Sequence, residues 1–250
     1  MAASFVSASS QILFNGSVTT LAMPFTVGCW VYSADAAGST QTVWSIADTA
    51  VTNHYWRLTR SSAAPPVFQI GAASGSTANT TSLGTAFAVG TWNFVVVRMI
   101  SATNRWISAW QSDGLMQHAQ GTTSRSPTGI DTISVGARKI SSTDTYWGGS
   151  IAEFWYTDTD IQADGAQLEN ALLWRLAFCG PFSVPHVAKA LVEYRSFRTG
   201  LADTEDLPEE IYYRGLRPTW TNTNVATLGP HPPLPGRYIN AGEVTRPAVV

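Results

Sequence analysis

Charge is what this chain has least of. Asp, Glu, Lys and Arg make up 13% of its 250 residues, about half the share a soluble domain usually carries. The surface must therefore be built largely from Ser, Thr, Asn, Gln and Gly. Net charge is -2, so no bulk electrostatic case exists for binding nucleic acid or an anionic membrane. Lysine is scarcer still, with Lys139 and Lys189 standing among fifteen cationic residues. Interfaces favour arginine and deplete lysine, which points to a surface that docks; a coding bias toward Ala, Arg and Gly would leave the same trace. Cysteine is limited to Cys29 and Cys179. Both lie in apolar surroundings and read as small buried hydrophobes rather than a disulfide, and a chain of this length can bury its core without one. No apolar run approaches the roughly 20 residues of a membrane span. The start, "MAASFVSASSQ", lacks the cationic segment of a secretory signal and is expected of a protein made and used without export.

What the chain does have is strands. "PFTVGCWVYS" puts Phe25, Val27, Cys29 and Val31 on one face and Thr26, Gly28, Trp30 and Tyr32 on the other. That two-residue period marks a strand, and two apolar faces predict cover on both sides. "HYWRLTR", "PVFQIGA", "TWNFVVVRMIS", "NRWISAWQ" and "DTISVGAR" continue the series, joined by turn-type segments, with "VVVRMIS" and "NRWISAW" forming a hairpin. Many short strands predict a mainly β antiparallel sandwich or jelly roll over residues 1–160.

The period then changes. "DGAQLENALLWRLAFCGP" offers Asp164 as a helix N-cap with Gln167 three residues on. Leu168, Leu172 and Leu176 follow at helical spacing and Gly180-Pro181 stops the run. "SVPHVAKALVEYRSF" opens as a short helix at Pro185 or passes into a strand at Leu191. Residues 161–215 are thus a helical connector with a candidate extra strand. From 216 to 250 six prolines oppose regular structure and predict an extended arm.

The order of "PFTVGCWVYS", "GTWNFVVVRMIS…NRWISAWQSDG" and "DTISVGAR…YWGGSIAEFWYTDTDI" resembles the laminin-G-like or concanavalin A-like lectin/glucanase superfamily. There, a Phe-Thr-x-x-x-Trp strand leads to a Gly-x-Trp-x-x-Val strand, a hairpin ending in Asp-Gly, and a Gly-x-Ile-x-Glu/Asp strand before a short helix. The run from "LVEYRSFRTG" to "HPPLPGRY" resembles a C-terminal extension found on such domains in tailed-phage structural genes. The resemblance implies a non-enzymatic structural protein of a phage virion, assembled in the host cytoplasm. The first expectation is a capsid decoration protein, a homo-oligomer whose partners are the major capsid protein or other virion proteins. A lectin-like fibre or receptor-binding module that takes glycans is the alternative.

The superfamily includes glucanases, whose retaining mechanism needs two carboxylates about 5 to 5.5 Å apart, on one face of a strand. Glu153 is the one glutamate before position 169. Two residues on stands Trp155, four on Thr157, and Asp158 falls on the opposite face. The pair is missing, and Glu153 reads as a structural carboxylate that accepts hydrogen bonds or meets an arginine. Asp158 and Asp160 are calcium candidates, with Asp113, Asp131 or Asp144 as distant helpers; turn and cap chemistry explains the same two residues. No cofactor is implied. The histidines His54, His118, His186 and His231 are scattered, so no zinc site is expected.

Ten tryptophans invite a sugar-stacking reading. Trp56 and Trp147 lie near expected loop ends and are the candidate exposed platforms, and Trp106 and Trp110 share one strand face. Core packing is the competing role for each. "GPHPPLPG" could serve a groove-bearing partner as a polyproline ligand or lie as a stiff arm along a subunit. Arg217, Pro232, Pro233, Pro235, Arg237 and Tyr238 are the residues expected to make that contact.

Overall fold

The computed structural model describes residues 2–16, 18, 21–35, 38–195, 197, 211–213, 220–223, 227–229 and 232, with the backbone alone for 211–213 and 227–229. In chain order the first strands are β1 (Ala2–Phe5), β2 (Ile12–Asn15), β3 (Phe25–Ser33), β4 (Gln41–Ala47), β5 (His54–Arg60), β6 (Phe68–Ser74) and β7 (Thr77–Ser82). Next come β8 (Trp92–Ser101), β9 (Asn104–Trp110), β10 (Met116–Gly121), β11 (Thr132–Val135), the short β12 (Arg138–Lys139) and β13 (Thr143–Asp144), and β14 (Gly149–Thr157). Helices α1 (Asn170–Cys179) and α2 (Pro185–Ala190) then precede β15 (Leu191–Arg195), β16 (Ile211–Tyr213), β17 (Thr221–Thr223) and β18 (Thr227–Gly229).

Two antiparallel sheets face each other. The first has the order β10–β9–β8–β3–β14–β1–β18, with β15 also on β14 and β16 beyond it; the second runs β17–β2–β11–β4–β5–β6–β7. Between them lie Val27, Cys29 and Val31 of β3, Val95 and Val97 of β8, and Trp44, Ile46, Trp56 and Leu58 of the opposing sheet. The other face of the first sheet is apolar too. Trp30, Phe94, Val96 and Trp155 pack there against Leu173, Leu176, Ala177 and Val187 of the two helices. So β3 is covered on both sides, as its alternation requires. Gly28 is the condition for this second layer: a Cβ there would sit 2.3 Å from the Trp155 ring.

The helix begins later than its cap signal suggests. Asp164 takes φ 59° inside a 3-10 turn and α1 starts at Asn170. The cause is the first sheet. The Gly165 carbonyl accepts from Trp106 Nε1 at 3.0 Å and Asn104 Nδ2 at 3.2 Å, and the Ala166 carbonyl accepts from Arg98. Carbonyls turned toward a sheet cannot open a helix. The stop is as expected, with Gly180 at φ 72° and its N–H on the Leu176 carbonyl. The two readings of the next segment both hold in succession, α2 passing into β15 at Leu191.

Two expectations need correction. Cys29 is buried, and burial pushes its thiol well up, but Cys179 at the end of α1 is exposed; neither is in a disulfide. The arm expected from residue 216 does not begin there. β17 pairs with β2, β18 pairs with β1, and Trp220 is buried in the inter-sheet core, donating from Nε1 to Glu193 at 2.6 Å. Glu193 also accepts from Arg195, whose guanidinium lies 4.4 Å from the Trp220 ring. Removal of residues 216–250 would therefore cut into the sandwich itself. Pro232 is buried; Arg217, Pro233, Pro235, Arg237 and Tyr238 lie outside the described residues.

Arg98 fastens the connector. Its side chain is wholly buried and grips Asp160 through two bonds of 2.6 and 2.8 Å while also donating to Ala166. Taking one partner from such a pair leaves a carboxylate and carbonyls in apolar surroundings. Arg98→Met is expected to lower unfolding free energy by about 3 kcal/mol in guanidinium denaturation; a loss under about 1 kcal/mol, the worth of an exposed pair, would show that the grip is not structural.

Candidate binding site on the outer sheet face

The tryptophans named as platforms are core residues. Trp56 is 2% exposed and meets Phe25 edge-on at 5.2 Å, and Trp147 is fully buried just ahead of β14. Neither can stack on a ligand. Trp106 and Trp110 do share a face of β9, but the connector lies over it. Trp106 donates to Gly165, while Trp110 packs on Trp30 at 5.6 Å and Phe178 at 4.8 Å. The exposed aromatics are instead Trp174 on α1, 48% accessible, and Phe182, 45% accessible. Sequence reasoning passed over both. The helical periodicity around Trp174 carried the signal, since it falls on the face opposite Leu172 and Leu176.

Glu153 is buried and accepts a hydrogen bond from the Tyr194 hydroxyl, in line with a structural carboxylate. Its backbone was not foreseen. Glu153 has φ 51° and sits in a bulge, where pairing with β3 shifts between Ala152 and Trp155. The extra residue breaks the two-residue parity. Ala152 and Trp155, three residues apart, both face the helices, while Phe154 faces the inter-sheet core. The bulge also divides the free edge of β14 between two partners: β1 takes 149–151 and β15 takes 154–157.

Asp160 is held by Arg98 and accepts from the Gln162 N–H at 3.3 Å, which is turn chemistry; Asp158 is exposed. Asp113 caps a turn at Leu115, Asp131 accepts from Thr49, and Asp144 pairs with Arg138. Among the described residues no three His, Cys, Asp or Glu side chains gather into a metal site. His54 bonds with Thr128, His118 with Ser108 and Asn170, and His186 with the Ile161 carbonyl.

A groove of about 640 Å³ runs between the 160–163 loop, α1 and the start of α2. Its deeper polar groups, Asp160 and His186, already serve Arg98 and Ile161. We read it as the seam where the connector meets the first sheet.

The outer face of the second sheet is different. In β5 the core-facing set is Trp56 and Leu58, so Tyr55, Arg57 and Thr59 point outward. Register aligns Ser45, Arg57, Gly71 and Thr80 across β4 to β7, with Thr59, Gln69 and Ser82 alongside. The β12–β13 hairpin covers one end, fixed by the Lys139 N–H on Ser45 and by Ile140 packed against Ala47, Tyr55 and Ala73. At the other end Thr80 and Ser82 are exposed. Between them Gly71 makes a floor without a side chain. The Arg57 stem lies across that floor, 3.2 Å from where a Cβ would stand.

Two guanidinium groups share the Tyr55 ring, Arg57 at 5.1 Å and Arg138 at 4.9 Å from its centroid. They differ in what else they hold. Arg138 grips both oxygens of Asp144, and this bond raises Arg138 above the ordinary arginine value. Burial alone would raise the Asp144 carboxyl, yet Arg138 keeps it below the usual carboxylate range. Among the described residues Arg57 has no oxygen acceptor, and its Nε is buried without a hydrogen-bond partner. Burial, together with repulsion from Arg138, holds Arg57 below its ordinary value against attraction from Tyr55 and Asp144. The face thus combines a bare floor, hydroxyl and amide groups, and one uncommitted cation.

No protein-family model and no curated protein matches the chain. Solved structures do. The enzymatically active domain of tailspike protein 2 from bacteriophage CBA120 superposes with a TM-score of 0.56 at 10% identity, over 80% of this chain and 32% of that one. A candidate carbohydrate-binding protein from Bacteroides ovatus gives 0.52 at 12% identity, over 88% and 57%. A heptameric SAP-like pentraxin from Limulus polyphemus gives 0.50 at 14%, over 64% and 76%. This chain spans about a third of the tailspike chain. What they share with this chain is the fold, an antiparallel jelly-roll sandwich, as the strand pattern predicts.

If Trp56 and Trp147 are core residues, truncation acts on stability. Trp56→Ala and Trp147→Ala should each cost about 3–5 kcal/mol in urea denaturation. A variant with unchanged stability and lost ligand affinity would return that tryptophan to the surface.

Proposed function

We propose that the chain is a glycan-binding module carried on a phage virion, which holds its ligand on the outer face of the second sheet without transforming it. The carrying observation is the row formed by Gln69 and the exposed Thr80 and Ser82 beside the Arg57 guanidinium, whose stem lies over Gly71. Sugars present hydroxyls in rows, and small floor residues let a ring approach while hydroxyl and amide side chains match its donors and acceptors. The jelly roll shared with a phage tailspike domain and with a candidate carbohydrate binder is compatible with this role. The virion setting rests on the sequence resemblance of the C-terminal run.

Gly71→Leu is the direct test. Gly71 has no left-handed backbone requirement, and the only atoms a Cβ would crowd belong to the flexible Arg57 side chain, at 3.2 Å, so the leucine displaces that side chain rather than the backbone. Purified protein should be retained on an oligosaccharide array, and Gly71→Leu should weaken that retention at least about tenfold at unchanged melting temperature. Full binding by the variant, or no glycan bound by the parent, would end this reading. Quantitative mass spectrometry of particles places the module: copy number far below that of the major capsid protein is expected, whereas copies scaling with that protein would make it a capsid decoration protein.

A further inference from the structure

Most of the described arginines are occupied. Arg60 donates to Ser33 and the Asp35 carbonyl, Arg98 to Asp160, Arg105 to the carbonyls of Ala102 and Thr123, Arg138 to Asp144, and Arg195 to Glu193. Among the described arginines only Arg57 and the exposed Arg175 lack an oxygen acceptor, and of these Arg57 is the one that is partly buried, with a buried Nε. A guanidinium presents five donors in a planar fork that matches a carboxylate through two parallel bonds. Leaving one half-buried and unmatched is costly unless something completes it.

Its surroundings say what that would be. Two guanidinium groups flank the Tyr55 ring while a single carboxylate, Asp144, lies near them, and its two oxygens accept from Arg138, one of them also from Thr145. The local balance is one positive charge. The neighbours of Arg57 toward the open edge are Gly71 and the hydroxyls of Thr80 and Ser82, so the approach is free of other charge. Resting on the glycan-binding reading above, we propose that Arg57 is the specificity-determining residue of this face and that the ligand is an acidic saccharide, whose carboxylate takes the Arg57 fork while its hydroxyls meet Gln69, Thr80 and Ser82.

The test sets acidic oligosaccharides, such as oligogalacturonides, on an array beside the same sugars after carboxyl reduction, with a sulfated glycan as charge control. The parent protein should hold at least one acidic sugar about 10- to 100-fold more tightly than its reduced form. Arg57→Gln should remove that preference, bringing retention of the acidic sugar down to that of its reduced form. Arg57 makes no hydrogen bond within the protein, so the variant should fold, which an unchanged melting temperature would verify. Equal binding of acidic and reduced forms would overturn the acidic ligand while leaving the glycan site intact. Undiminished acidic binding by Arg57→Gln would overturn the role of Arg57. Equal capture of the sulfated control, abolished by salt, would reduce the effect to nonspecific charge and overturn the inference. If neither acidic nor neutral sugars bind, the glycan reading fails with it.

Discussion

The Arg98 guanidinium reaches out of the first sheet and holds the connector at three points, the Asp160 carboxylate and the carbonyls of Ala166 and Gln162. Everything laid over that sheet follows from this grip. It fixes the 160–166 turn, which delays the helix to Asn170 and sets the angle at which Leu173 and Leu176 meet Trp30 and Trp155. Those helices occupy the face on which Trp106 and Trp110 lie. The face left open is therefore that of the opposite sheet, where, among the described residues, the short β12–β13 hairpin intrudes.

The same device recurs through the fold and explains the unusual composition. Arg60, Arg98, Arg105 and Arg195 are all fully buried, and the first three each terminate on loop carbonyls. A guanidinium suits this task because one side chain can satisfy several backbone acceptors in a fixed plane, which an ammonium cannot do. The arginine bias that suggested a docking surface is thus, at these positions, internal loop architecture. The rule also isolates its exception: against a background of occupied forks, the unmatched one at Arg57 stands out.

Much of the fold was legible because alternation is a local property. The two-faced β3, the β8–β9 hairpin and the stop at Gly180 follow from spacing and turn chemistry alone. What failed to read out was set by contacts distant in sequence. Asp164 carries a sound cap signal, but Trp106, Asn104 and Arg98 take the carbonyls that would have opened the helix. Glu153 breaks parity through a bulge in β14, where the pairing with the distant β3 shifts between Ala152 and Trp155. For the candidate site, the pattern held more than was drawn from it. If Trp56 and Leu58 in "HYWRLTR" face the core, then Tyr55, Arg57 and Thr59 must face out; the attraction of tryptophan as a sugar platform concealed that complement. The absence of a carboxylate for Arg57 had no signal in the sequence, because it depends on Asp144 being claimed by a neighbour six residues away.

The pairing of the last strands with the first also has a kinetic meaning. β1 lies between β14 and β18, and β2 lies between β11 and β17. Neither can acquire even one neighbour until more than a hundred further residues have left the ribosome, as the partnership of Ala3 with Ile151 shows. Contacts of such long sequence separation close late and slowly. During synthesis the β4–β5–β6–β7 and β8–β9–β10 meanders can assemble first, with β3 joining β8, while the opening segment waits as an unpaired chain. The sandwich is sealed from its two ends inward, and the final event is a zipper between the oldest and the newest parts of the chain.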